Sequence, residues 1–146
     1  MIKKGIIAGI ALALICVCFT ACSLPETDTD APDTGIMYLV IANDAEEHNY
    51  SVYSVELNGV GNVFDALDAA EVGYQQSGGF INAVDGITLG ENEYIYLYTS
   101  VEKDFDVSQY ALTLDWCGVT LTSSGLGASD MTLESGCIIY IGTIVY

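Results

Sequence analysis

The residues of this chain best suited to holding a ligand are tyrosines. Tyr94, Tyr96 and Tyr98 alternate with Ile95, Leu97 and Thr99 across Glu93–Val101. A period of two puts the three rings on one face of a strand and the aliphatic side chains on the other. A row of rings offers rigid apolar area with a polar tip, a stacking platform for a sugar, a corrin or another flat molecule. Packing explains the same pattern: a tyrosine face can lie beneath a helix or sit half-exposed. The lone tryptophan, Trp116, and the small-residue loop Ser123–Ser129, with Gly127 and Ser129 near its end, complete the ligand-binding candidates.

Other reactive side chains are sparse. Cys117 and Cys137 follow the export segment; outside the cytoplasm they can pair as a disulfide or stand as two small buried hydrophobes. Glu102, Asp104, Asp106, Ser108 and Asp115 imitate part of a calcium loop. Gln109 stands where such a loop needs glycine, and the last ligand is a short Asp, so a solvated acidic loop is the better reading. His48 is the single histidine and has no Ser or Cys motif beside it. Two thiols and one distant histidine do not make a zinc site. Gly125-Leu126-Gly127-Ala128 lacks the lysine of a phosphate loop. With twenty acids, some carboxylate pair will always fall at a glycosidase-like spacing, so such a pair says little. The expected activity is binding, not catalysis.

Charge narrows the partners. The basic residues are Lys3, Lys4 and Lys103, with no arginine, against twenty acids that all follow Cys22. Without the leader, one lysine against twenty acids leaves −19. No basic patch exists to neutralise phosphates, which excludes nucleic acid as a partner class. Arginine clamps for anionic substrates are excluded as well.

The N-terminus has its own job. Lys3 and Lys4 precede the apolar run Ile6–Phe19, too short and too early for an ordinary membrane span. Phe19-Thr20-Ala21-Cys22 resembles the lipobox of bacterial lipoproteins, with Phe19 in place of the usual leucine. That reading makes 1–21 a lipoprotein signal peptide and Cys22 the acylated first residue, placing the protein extracytoplasmically on the cell membrane. Each buried CH₂ of an acyl chain is worth ~0.8 kcal/mol, so two or three chains hold where one does not. A plain signal peptide cut near Ala21 is the alternative. Residues 22–35 are an acidic tether rich in Pro, Thr and Asp, too polar to fold and stretched by its own charge.

Residues 36–146 must position the candidates. Ile36–Ala42 and Tyr50–Leu57 read as a hairpin joined by the polar loop Asn43–Asn49. Asn62 is an N-cap, Asp65 follows three later, and Val63, Ala66, Leu67 and Ala70 share one face of a helix. Gly73 is the expected helix stop. Strands are expected at Phe80–Val84, Glu93–Val101, Tyr110–Trp116, Val119–Leu121 and Cys137–Tyr146, with turns at Asp85-Gly86 and Cys117-Gly118. The order ββ-α-β-β-β-β-β makes an α+β domain, a sheet packed on one helix. A chain of this size needs neither metal nor disulfide to fold.

The run Val63-Phe64-Asp65-Ala66-Leu67, then Gly79–Ile87 (GFINAVDGI), resembles the signature of transcobalamin C-terminal-like domains of bacterial surface proteins. Gly125–Ser129 and Glu134–Ile138 resemble the closing segment of that family. The resemblance spans 36–146 and implies a β-grasp-like mixed sheet packed on one helix, with cobalamin or a similar planar molecule as the ligand class. Family members often carry a tryptophan strand where this chain has Tyr94–Tyr98. The ligand would then be held by Tyr94, Tyr96, Tyr98, Trp116 and the Gly125–Ser129 loop. The alternative is a surface interaction module for a protein or cell-surface polymer. A concave pocket lined by those aromatics would favour the small molecule; an exposed apolar patch or an open strand edge would favour the partner.

Overall fold

A run of apolar, β-branched residues has nowhere to put its side chains except inside a sheet, and Ile36–Asp44 forms the interior strand β1. In the computed structural model, which describes residues 35–44 and 49–145, β1 pairs antiparallel with β2 (Asn49–Glu56) from Ile36↔Glu56 to Ala42↔Tyr50. The signal peptide, Cys22, the tether up to Thr34, and His48 lie outside the described residues. The last strand, β8 (Ile138–Val145), lies on the other side of β1 and parallel to it. Parallel neighbours need a long crossover, and everything between β2 and β8 supplies it.

That crossover contributes β5 (Glu93–Thr99), antiparallel to β8 along its whole length, and the hairpin β6 (Thr113–Trp116) and β7 (Val119–Ser123). The sheet order is β2-β1-β8-β5-β7-β6. β7 meets β5 only at Tyr98 and Thr99, and Ser124 N–H donates to the Leu97 carbonyl just beyond. A separate two-stranded sheet pairs β3 (Tyr74–Ser77) with β4 (Phe80–Val84). One helix on a mixed sheet makes this an α+β domain. Among the described residues no helix is long and apolar enough to cross a membrane.

The helix α1 (Val63–Ala69) starts as expected: the Asn62 side chain accepts from Asp65 N–H at 3.0 Å, and the Asp65 carboxylate accepts from Gly61 N–H at 2.9 Å. It stops earlier than expected, before Gly73. Val72 N–H donates to the Leu67 carbonyl and Glu71 N–H to Asp68, the paired bonds of a Schellman stop. Glu71 therefore sits at φ 56°, where glycine is usual. The strand β3 was not expected, because Tyr74-Gln75-Gln76-Ser77 carries no apolar alternation. It forms because Gly78 and Gly79, at φ 60° and 85°, make the turn that folds the chain back along β4.

The two faces of the sheet differ in chemistry. On one, Met37, Leu39 and Ile41 of β1 and Ile139 and Ile141 of β8 meet Val63, Phe64, Ala66 and Leu67 of the helix, with Ile81 and Val84 of β4. On the other, Tyr38, Val40 and Ala42 meet Ile138, Tyr140, Tyr98, Leu121 and Trp116. β2 and β6 are opposite edges of the sheet, yet the Tyr50 and Trp116 rings stand 6.4 Å apart. The sheet is therefore curled around its aromatic face, and the β6–β7 hairpin closes over it.

Candidate functional site

The tyrosine strand keeps the alternation read from the sequence, but its rings point into the curl. Tyr98 is buried, Tyr96 partly buried, and Tyr94, at the end of the row, 54% exposed. The helix that could have covered this face lies on the other one. Rings run across the sheet in contact: Tyr96–Tyr98 at 5.4 Å, Tyr98–Tyr140 at 5.9 Å, Tyr140–Tyr50 at 6.0 Å, then Trp116. All four pairs meet edge to face, the arrangement that suits ring quadrupoles in a core. Gly142 leaves room for this: a Cβ there would stand 2.9 Å from Cε1 of Tyr140.

Burial changes the acidity of these groups. Desolvation pushes the Tyr140 phenol far up, helped by its hydrogen bond with Tyr50. Desolvation raises Tyr98 too, with Tyr96 adding to it. Trp116 is 4% exposed, and its indole N–H finds no hydrogen-bond partner among the described residues. A buried donor left alone costs about 1–3 kcal/mol.

Gly127 and Ser129 lie on the helical side of the sheet, away from the buried Tyr98 and Trp116. Val63 N–H, at the start of the helix, donates to the Ala128 carbonyl and holds this loop over the helical side of the sheet. A Cβ on Gly127 would stand 3.2 Å from the Gly79 carbonyl, and Ser129 Oγ fills the space beside Gly79. The structure thus brings Gly127 and Ser129 to the β3–β4 turn, while Tyr98 and Trp116 lie inside the curl. Of the aromatic-plus-loop candidates, Tyr96 and Gly127 line one small notch, while Tyr98 and Trp116 are buried apart from it.

The pair Cys117 and Cys137 is not bridged. Cys117 sits in the β6–β7 turn at φ 52° and packs on the aromatic side, whereas Cys137 belongs to the core beneath the helix. The sheet separates them, which rules out the disulfide. Burial raises the Cys137 thiol above its ordinary value. The acids of the calcium-like loop have separate partners. Asp104 is buried and accepts from Thr132 N–H and, at 3.1 Å, from Thr132 Oγ1. Asp106 accepts from Ser108 N–H, and Asp115 from the Thr120 hydroxyl. Among the described residues no three His, Cys, Asp or Glu side chains are placed to share a metal ion.

Sequence reasoning named two residues of the feature best shaped for contact, Tyr96 and Gly127, but not the apolar residues that complete it. Between β4 and β5 lies a notch of about 140 Å³, lined by Ile81, Ile95, Tyr96, Leu97, Ser124 and Gly127 and flanked by Phe80 and Leu126. Phe80 is 65% exposed and Leu126 42%. A cavity of about 150 Å³ accommodates a benzene-sized group, so this notch takes one apolar side chain and not a macrocycle. The available signal was a mismatch in strand length, since the return strand Val119–Leu121 is far shorter than Glu93–Val101. A larger open depression of about 450 Å³ follows the β3–β4 hairpin, lined by Gly73, Tyr74, Val84 and Asp85. Tyr74 there is raised in pKa by burial and by the Asp68 carboxylate, and stacks on Phe64 at 5.3 Å, a contact that explains it as packing. Comparison with known protein families and with curated proteins finds no match to this chain.

Proposed function

We propose that this chain is a lipid-anchored, extracytoplasmic binding protein whose β-grasp-like domain engages a protein partner. The observation that carries the reading is the side-chain-sized notch between the exposed Phe80 and Leu126. Partner surfaces are built this way: an apolar anchor enters a small pocket, surrounded by contacts that exclude water. The anchor residue Cys22 and the acidic tether put the domain clear of the bilayer, where such a surface is accessible. The strand order, with β1 and β8 parallel neighbours inside the sheet and one helix on one face, supports the β-grasp-like assignment.

A corrinoid or other planar ligand is less well supported, because Tyr98 and Trp116, which would have stacked on it, are core residues. Two experiments test the reading. Cys22→Ala releases the protein from the membrane fraction; unchanged membrane retention removes the lipid anchor. Titration of corrinoids against Trp116 fluorescence leaves the signal flat; a saturable change at micromolar concentrations restores the small-molecule function.

A further inference from the structure

The notch is also where a strand is missing. In an antiparallel sheet, backbone groups point alternately to one neighbour and the other. Ser100 N–H donates to Ile138, so Tyr98, Tyr96 and Tyr94 face β8, and Leu97, Ile95 and Glu93 face the β7 side. On that side β7 reaches Thr99 and Tyr98, and Ser124 reaches the Leu97 carbonyl. Beyond Ser124 the chain turns away: the Ser124 hydroxyl donates to the Leu126 carbonyl and accepts from Leu126 N–H, and Gly125 N–H donates to Asp104. The Ile95 N–H and carbonyl are left with no hydrogen bond among the described residues, and Ile95 is a wall of the notch. Backbone polar groups beside an apolar anchor pocket are the two halves of a strand-addition site.

Resting on the reading above, we infer that an extended segment of the partner pairs with the open edge of β5 at Ile95, next to Glu93, whose own N–H is held by the Gly90 carbonyl. It continues the line of β7 and drops one apolar side chain between Phe80 and Leu126. Charge selects its remaining residues. Glu93 lies on the same edge with its carboxylate accepting from Gly90 N–H, and the Asp106 and Asp130 backbones lie beside Gly125 and Gly127. The whole chain carries −17, and Lys103 is the only basic residue among the described ones. The occupant is a lysine- or arginine-bearing strand of another protein. A second copy of this acidic chain would bring like charge to the same edge.

The test uses the full chain in detergent and a synthetic peptide that alternates lysine and valine around a central phenylalanine. Saturable binding is expected. It weakens at least about tenfold when the phenylalanine is replaced by serine, when the peptide amides that would face β5 are N-methylated, or when Leu126→Asp fills the notch with charge. A peptide with glutamate for lysine does not bind. An unchanged melting curve for Leu126→Asp keeps the comparison fair, and the N-methylated peptide tests the backbone pairing without altering the protein. Equal binding of the N-methylated peptide, equal binding by Leu126→Asp, or no saturation up to about 1 mM overturns the inference. A photocrosslinker at position 126 in intact cells separates this failure from failure of the partner reading. Capture of one other protein despite a failed peptide test overturns strand addition yet keeps the notch as a contact site. Capture of a second copy overturns the cationic partner, and no capture in either assay removes both.

Discussion

The two faces of one sheet were built from the same alternating strands and ended with different work. Under the helix, Leu39, Ile41, Ile139 and Ile141 interlock with Val63, Ala66 and Leu67. This face contains no hydroxyl to satisfy on those side chains, so its stability comes from area removed from water, about 1.5–3 kcal/mol for each large aliphatic side chain. Across the sheet, Tyr38, Tyr50, Tyr98, Tyr140 and Trp116 form an interior of rings, closed by the sheet's own curl and by the β6–β7 hairpin. Rings with polar tips need partners as well as space, and here one tip, the Trp116 indole, has none among the described residues. A row of aromatics is therefore not in itself a binding platform. What decides is whether another element has closed over it.

The largest effect expected is on the aliphatic face. Leu39→Ala should cost about 2–5 kcal/mol in a urea unfolding titration, as fully buried leucines do when the site cannot collapse. A cost below about 1 kcal/mol would mean that the helix is not seated there. On the aromatic face, Trp116→Phe should cost clearly less than that. The smaller ring leaves a void, but it also removes a buried donor whose isolation costs about 1–3 kcal/mol. A loss as large as that of Leu39→Ala would show that the indole has found a partner.

Alkaline pH separates the faces further. The folded-state pKa values of Tyr98 and Tyr140 are raised above 10.0, and that of Cys137 above 9.0. A raised pKa gives stability that is fully present below the unfolded value and is lost as pH rises through the folded one. Unfolding free energy should therefore fall progressively once pH passes 9 to 10, with most of the loss on the aromatic side. Tyr140→Phe should flatten this fall, measured as the urea midpoint against pH; an unchanged slope would place the titration elsewhere. The smallest effect is at the helix stop. Glu71→Gly relieves a left-handed glutamate and should stabilise by roughly 0.5–1 kcal/mol, visible as a small rise in melting temperature.

Much of this was legible in local residues. Asn62 and Asp65 marked the helix start because capping needs only neighbours, and the alternation of Glu93–Val101 marked β5 and its two faces. The helix stop misled, since Gly73 looked like the stop while the bonds of Glu71 and Val72 had already ended the helix. β3 was invisible because Gln75 and Gln76 carry no pattern; only the turn at Gly78-Gly79 makes them a strand. The candidate site was harder. That Tyr94, Tyr96 and Tyr98 share a face is a short-range fact. That β6 curls round until Trp116 meets Tyr50 is a contact between distant segments, and no spacing encodes it. The notch as a whole escaped for a similar reason, because it exists only where β7 ends before β5 does.

Nitration of tyrosines in the folded full chain, mapped residue by residue, tests most directly whether the aromatic face is interior. Tyr110 and Tyr94, 73% and 54% exposed, should react readily, while Tyr98 and Tyr140 stay protected until the protein unfolds. Reaction of Tyr98 and Tyr140 at the rate of Tyr110 would mean that the curl is open, and the tyrosine row would again be a platform for a flat ligand.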